Sequence, residues 1–149
     1  MALLSNESWA SSEHARATMR ANRSRDTRPE LLVRRELHRR GRRFRVNLRP
    51  LADDRRRTVD IAFTRLKLVV HIDGCFWHGC PDHFVPPKTN PEYWKQKIAR
   101  NQQRDLDTDQ RLRSAGWTVL RFWEHEAPMS VVEGVEAQIR RMETRITRR

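Results

Sequence analysis

Apolar positions along this chain follow two rhythms, one helical and one alternating. Leu31, Leu32, Val33 and Leu37 recur at helical spacing. Thr27-Arg28-Pro29-Glu30 precedes them as a capping box, with Thr27 as N-cap, proline inside the first turn and Glu30 reaching back. The helix is predicted to stop near Gly41. Phe44 and Val46 then alternate with arginines, which predicts a strand over 43–47, followed by a turn-rich basic connection over 48–57. Across 58–63, Val59, Ile61 and Phe63 alternate with Thr58, Asp60 and Ala62, so Asp60 belongs to the less apolar face of a strand. The run 66–73 is nearly continuous apolar, as in a central strand covered on both faces, with Asp73 at its exit.

Residues 74–90 contain Pro81, Pro86 and Pro87 and read as one long loop. Loops of that length in a compact domain are usually functional or disordered. Asn90-Pro91-Glu92 opens a long helix through Tyr93, Trp94, Ile98, Leu106 and Leu112 to the vicinity of Gly116. A strand is predicted over 117–123, with Trp117 and Trp123 in the core. A second capping box, Ser130-Val131-Val132-Glu133, predicts a C-terminal helix to about Ile146. Near the start, 12–22 reads as a short polar helix carrying Met19. The order of helix, three strands, helix, strand, helix predicts an α/β fold, a mixed central sheet flanked by helices. If the two acid-bearing strands pair, Asp60 and Asp73 come close together. The length fits a single domain over 26–149, preceded by a basic arm over 1–25 that orders on a partner.

Charge adds a partner to this picture. Lys+Arg number 31 against 19 Asp+Glu, a formal charge of +12, and most of the excess is arginine. Guanidinium forks match phosphate geometry and guanine edges, so the expected partner is a nucleic acid. No stretch approaches the roughly 20 apolar residues of a membrane span, and the N-terminus lacks a signal-peptide core. A cytoplasmic, nucleoid-associated monomer is expected. The two cysteines, Cys75 and Cys80, suggest metal binding before a disulfide in such a setting.

The candidate chemistry is concentrated in Asp73-Gly74-Cys75-Phe76-Trp77-His78-Gly79-Cys80 and its surroundings. Phosphodiester hydrolysis needs a divalent cation to offset charge and activate water, and Mg²⁺ prefers carboxylate and carbonyl oxygens. Asp60 and Asp73 at adjacent strand ends, with the Ile72 carbonyl, would supply them; the alternative is that each acid pairs with nearby arginines such as those at 55–57. His78 could take a proton from an attacking water or ligate zinc, and both readings stand. Cys75, Cys80 and His83 offer three ligands for tetrahedral zinc, with His125 the best candidate for the fourth, which would staple the long loop to the sheet. Phe76, Trp77, Trp94 and Met19 are large apolar groups in a basic setting, as in proteins that wedge DNA bases apart. Asn101, Arg104 and Asp105 lie about a turn apart on one helix, either a phosphate-facing strip or an ordinary solvated face.

Laid out this way, the chain resembles the very short patch repair (Vsr) DNA mismatch endonucleases over roughly residues 12–126. The resemblance is carried by Met19-Arg20, Asp26-Thr27-Arg28-Pro29-Glu30, the Asp60 strand, the Asp73–Pro81 run, Tyr93-Trp94, Lys97-Ile98, Asn101, Arg104-Asp105, and Gly116-Trp117 through Trp123-Glu124. It implies a restriction-endonuclease-like core and a Mg²⁺-dependent nick 5′ to the thymine of a T:G mismatch left by 5-methylcytosine deamination. By the same resemblance Asp60 is the metal-binding catalytic aspartate, His78 the general base and Glu30 an acid that supports His78. Phe76 and Trp77 are the wedge, Met19 enters from the opposite groove, and Trp94 is a further DNA contact. Cys75, Cys80 and His125 match a structural zinc site, with His83 completing it. The chain departs from the pattern at Cys75, where the wider nuclease superfamily often has lysine, and at Asp73, where the family can have histidine. Accessory mismatch-repair proteins are expected partners. The rival readings are a restriction-type endonuclease cutting matched duplex and a non-catalytic zinc module that binds DNA.

Overall fold

A computed structural model describes residues 26–149. The predicted arm over 1–25, with its short helix and Met19, lies outside the described residues. Helix α1 spans Arg28–Arg39. Strands β1 (Arg45–Leu48), β2 (Val59–Phe63) and β3 (Leu68–Asp73) follow. Helix α2 (Pro91–Ser114) leads to β4 (Thr118–Trp123), and α3 (Pro128–Thr147) ends the chain. The four strands lie in chain order; β1–β2 and β2–β3 are antiparallel and β3–β4 parallel. The sheet is therefore mixed, and α2 is the crossover that a parallel pair requires.

Alternation along the strands separates two cores. Ile61, Phe63, Leu68, Val70 and Ile72 pack under Val33 and Leu37 of α1 and Val131, Val132, Val135 and Ile139 of α3. On the other face Ala62, Val69 and Val119 pack with Leu112 of α2 and Leu51. A two-residue period then assigns the polar strand residues to a face. His71 and Asp73 share the α2 face with Val69, and Arg121 shares it with Val119. Alternation breaks at the start of β2, where Val59 joins the α2-side core, and Asp60 is placed by contact, its Oδ2 4.0 Å from His71 Nδ1. The predicted central strand is right: β3 is buried along its whole length.

Several boundaries differ from expectation, each for a local reason. β3 starts at Leu68 rather than 66 because 64–67 forms the turn from β2, with Lys67 at φ +53°. The expected capping box at Ser130 does not start α3; the helix begins two residues earlier, with Pro128 in its first turn. At α1, Thr27 Oγ1 does accept from the Glu30 N–H at 3.4 Å. The return bond of the box is displaced by one residue, since Glu30 Oε2 accepts from Asp26 N–H at 2.8 Å. No described helix is long and apolar enough to cross a membrane.

Candidate active site and metal centre

The site lies where β2 and β3 part company. The last β2–β3 ladder pair at this end is Ile61↔Val70. Beyond it the Asp60 carboxylate takes over from the missing strand partner, accepting the Ile72 N–H at 2.7 Å. In a strand the N–H and C=O of one residue share an edge. The Ile72 carbonyl therefore faces the same gap as Asp60. Burial pushes the Asp60 pKa up to about 6, and the charge of Asp73 adds to it, against the lowering effect of the Ile72 N–H.

Asp73 is buried at the exit of β3 and held by Arg121, whose Nη1 donates to both carboxylate oxygens at 2.9 and 3.0 Å. The same guanidinium donates from Nε and Nη2 to Asp109 on α2 at 2.7–2.9 Å. Arg121 thus ties β3, β4 and α2 together. Burial raises the Asp73 pKa, with His78 and Arg121 working the other way. His71, also on this face, is 6% exposed, and its Nε2 has no hydrogen-bond partner among the described residues. Its Nδ1 is 4.0 Å from Asp60 Oδ2. Burial, then Arg121 and His78, lower its pKa to about 3, so it is a neutral imidazole.

His78 comes from the loop, and α2 sets its position. Asn101 Nδ2 donates to the Trp77 carbonyl at 2.8 Å, and Gln102 Nε2 to the His78 carbonyl at 3.2 Å. Between them Gly79 adopts φ +63° and presses so closely on the helix that a Cβ there would stand 2.6 Å from Ile98 Cγ2. Only glycine suits that position. Held there, His78 places Nδ1 2.5 Å from Asp105 Oδ2 and Nε2 3.9 Å from Asp73 Oδ1. Burial acts to lower the imidazole pKa, but the Asp105 bond and the charges of Asp73 and Asp105 outweigh it, and the pKa rises. The two open readings of His78 separate here: it sits with the acids, and the Cys/His group is made by other residues.

That group is compact. Cys75 Sγ lies 3.3 Å and Cys80 Sγ 3.6 Å from His125 Nδ1, and Cys80 Sγ lies 3.7 Å from His83 Nδ1. All four ligand atoms fall within 4.8 Å of one another. A zinc tetrahedron with bonds of about 2.0 Å to nitrogen and 2.3 Å to sulfur has S–N edges of about 3.5 Å. The donors and their spacing fit that ion. Burial, then the neighbouring Cys80, push the Cys75 thiol up to about 12. A second group, Asp73, His78 and Asp105, also brings three potential ligand atoms within that range.

The remaining expected residues fall as follows. Phe76 and Trp77 are half-buried and meet edge to face at 5.2 Å. Trp94, expected at the DNA surface, is 3% exposed and forms the floor of this cluster, 5.3 Å from Phe76 and 6.3 Å from Trp77. Glu30 is 1% exposed and bonds Arg34 at 3.1 Å. Its carboxyl is pushed up to about 7 by burial and then by Asp60. Glu30 is bonded to Asp26 N–H and Arg34 and lies near enough to Asp60 to feel its charge, while Asp105 is the acid bonded to His78. The expected phosphate strip divides: Asn101 and Asp105 face the loop, and Arg104 is exposed. Asp109 was not singled out from the sequence, and Arg121 entered only as part of the resemblance, with no role. The available signals were an arginine inside the apolar strand Thr118–Trp123 and the four-residue spacing of Asn101, Asp105 and Asp109.

Comparison with known proteins places the chain among DNA endonucleases. Residues 10–83 match the family described as DNA mismatch endonuclease Vsr. The type II nicking enzyme V.NaeI of Lentzea aerocolonigenes is 45% identical over 126 residues, covering 84% of this chain and 76% of that protein. The type II nicking enzyme V.XorIIP of Xanthomonas oryzae is 38% identical over 131 residues, 87% of this chain and 92% of its own length. The DNA mismatch endonuclease Vsr of Escherichia coli K12 is 36% identical over 116 residues, 74% of this chain and 72% of that protein. With an acid-and-imidazole site on one sheet face and relatives that cut DNA matched across most of its length, the chain belongs to the Vsr family of DNA endonucleases.

Proposed function

We propose that this endonuclease nicks one strand of duplex DNA 5′ to the thymine of a T:G mismatch, using Mg²⁺, and so starts very short patch repair of deaminated 5-methylcytosine. The observation that carries the proposal is the common face of Asp60 and the His78–Asp105 pair. An ionised carboxylate can only accept a hydrogen bond, so Asp105 fixes His78 with its proton on Nδ1 and a lone pair on Nε2. That is the tautomer a general base needs. Asp60 and the Ile72 carbonyl are the residues to hold the divalent cation. Burial, with a smaller push from Asp73, holds the Asp60 pKa up, and a bound cation would favour its charged form. When bound, the cation supplies Lewis acidity at the phosphate and offsets its charge.

The chain's own steps follow. Arginines and the arm over 1–25, including Met19, gather the duplex. Phe76 and Trp77 enter the stack beside the mismatch, supported from beneath by Trp94, with Asn101 and Arg104 contacting the strand. His78 Nε2 takes the proton of the attacking water, and Asp105 and Asp73 stabilise the imidazolium that results. Arg121 orients Asp73 and favours its charged form against the effect of burial. The products are a 5′-phosphate and a 3′-hydroxyl. Cys75, Cys80, His83 and His125 hold a structural zinc that anchors the loop carrying His78. The enzyme acts as a monomer in the cytoplasm on nucleoid DNA, with mismatch-repair proteins as auxiliaries.

The test is a set of labelled duplexes carrying T:G, U:G or paired bases, incubated with Mg²⁺ or with chelator. Nicking confined to the thymine strand of T:G duplex, and absent with chelator, is expected. Linear product from a perfectly paired plasmid would replace this reading with a restriction activity.

A further inference from the structure

An open groove of about 620 Å³ runs along the outer edge of β1, lined by Arg45, Val46, Asn47, Leu48, Arg49 and Arg55. Its three arginines are exposed, and none has a carboxylate partner among the described residues. Contrast Arg34, Arg42, Arg57 and Arg121, each tied to acids. Among the described residues the one side-chain hydrogen bond of the three is from Arg55 Nη1 to the Arg49 carbonyl, at 3.5 Å. The groove therefore offers guanidinium forks with most of their donors free. Such forks suit bidentate recognition of phosphate oxygens.

Register places the groove beside the site. Val46 pairs with Ile61 and Leu48 with Val59, so Asn47 stands opposite Asp60. The arginines of the β1 end and of the following connection open at the same sheet end as the catalytic acids. One strand spacing is about 4.8 Å, and one nucleotide adds about 3.4 Å of rise along a strand. A duplex with a phosphate at Asp60 would cross the groove within about three nucleotides. Asn47 Nδ2 also donates to Asp26 Oδ1 at 3.3 Å.

The geometry points to the β1-edge groove as a second binding surface, which grips the phosphate backbone of the duplex flanking the cleaved step through Arg45, Arg49 and Arg55. This rests on the proposed action at Asp60, but it concerns binding and not the chemical step. Charge on an edge strand also deters association between strands, and that role alone would leave the salt dependence of DNA binding untouched.

The experiment measures binding to a labelled duplex of about 30 base pairs across a salt series. It compares the full chain with the triple variant R45Q/R49Q/R55Q, and with R140Q/R141Q/R145Q on α3 as an equal change in net charge elsewhere. Each lost phosphate contact reduces the slope of log K against log salt by about 0.9. A reduction of about 2 to 3 in the groove variant and of less than 1 in the control is expected, with R45K/R49K/R55K close to the parent. Equal reductions in both glutamine variants, or none in the first, would overturn the proposal. Should the groove variant not fold, trimming the duplex from each end decides with the unaltered protein: one end must carry the slope loss, and a slope indifferent to both overturns the groove. A chain that shows the groove effect but never nicks T:G duplex refutes the functional reading alone.

Discussion

His78 Nδ1 and Asp105 Oδ2 stand 2.5 Å apart, although 27 residues separate them in the chain. The contact joins a glycine-rich loop to the middle of α2, and it fixes both the tautomer and the direction of the imidazole. Replacing Asp105 by Asn leaves the shape but allows the amide to donate, which favours the wrong tautomer. We expect Asp105→Asn to slow single-turnover nicking about 10²- to 10⁴-fold. The base limb of the rate profile should also move to lower pH, because Asp105 raises the His78 pKa. An unchanged profile in the variant would remove Asp105 from the mechanism.

Asp60→Ala should abolish nicking while leaving mismatch binding largely intact. The same residue predicts a thermal effect. Mg²⁺ held by Asp60 would bind the folded chain and not the unfolded one, so it should raise the melting temperature of the parent. Calorimetry of Asp60→Ala should show no such rise.

Glu30 gives stability a definite pH dependence. Its carboxyl lies at about 7 in the folded chain against 4.5 ordinarily, so the native state holds the proton more tightly than the unfolded one. Its stabilising contribution is complete below pH 4.5 and is lost as pH rises through 7. At about 1.4 kcal/mol per pKa unit, the decline attributable to this group reaches roughly 3 kcal/mol. Urea denaturation at pH 5 and pH 8 should show the decline in the parent and a smaller one in Glu30→Gln.

His71 carries a cost that substitution can remove. A buried imidazole nitrogen without a partner costs about 1–3 kcal/mol. His71→Leu, of similar volume on a face shared with Val69, should raise stability by about 1 kcal/mol in chemical denaturation. A loss instead would mean that the ring has a partner in solution.

Cys80→Ser, or a strong zinc chelator, should lower the melting temperature and also slow nicking. Neither removes a group that touches phosphate, so the rate effect would come from releasing the loop that carries His78. Zinc content by elemental analysis should fall in parallel. Full activity in the zinc-free protein would make the cluster independent of catalysis.

Much of this was legible in the chain. The alternation around Asp60 and the apolar run ending at Asp73 report burial directly, because each strand face meets a different solvent or core. The Cys75–His83 cluster was readable because most of its ligands are close in sequence. Asp105 and Arg121 were harder, since their partners lie 27 and 48 residues away. A solvated carboxylate and one aimed at an imidazole look alike until the sheet has brought loop and helix together. Trp94 misleads for a related reason: an aromatic in a polar stretch can be the floor of a cluster as readily as its exposed edge. Glu30 was read as a partner of His78, yet the displaced capping box turns its carboxyl to Asp26 and Arg34.

In the free chain Phe76, Trp77 and Trp94 spend much of their surface on one another, and Phe84 stands 6.0 Å from Phe76. To leave that nest for a helix, the outer rings must forfeit its cohesion before any new stacking is gained. A sound base step, tightly held, would not repay such a toll; a mispaired one, already loosened, could. Fidelity would then depend partly on how firmly the nest holds its own rings, and trimming Phe84 should yield a faster but less discriminating nuclease.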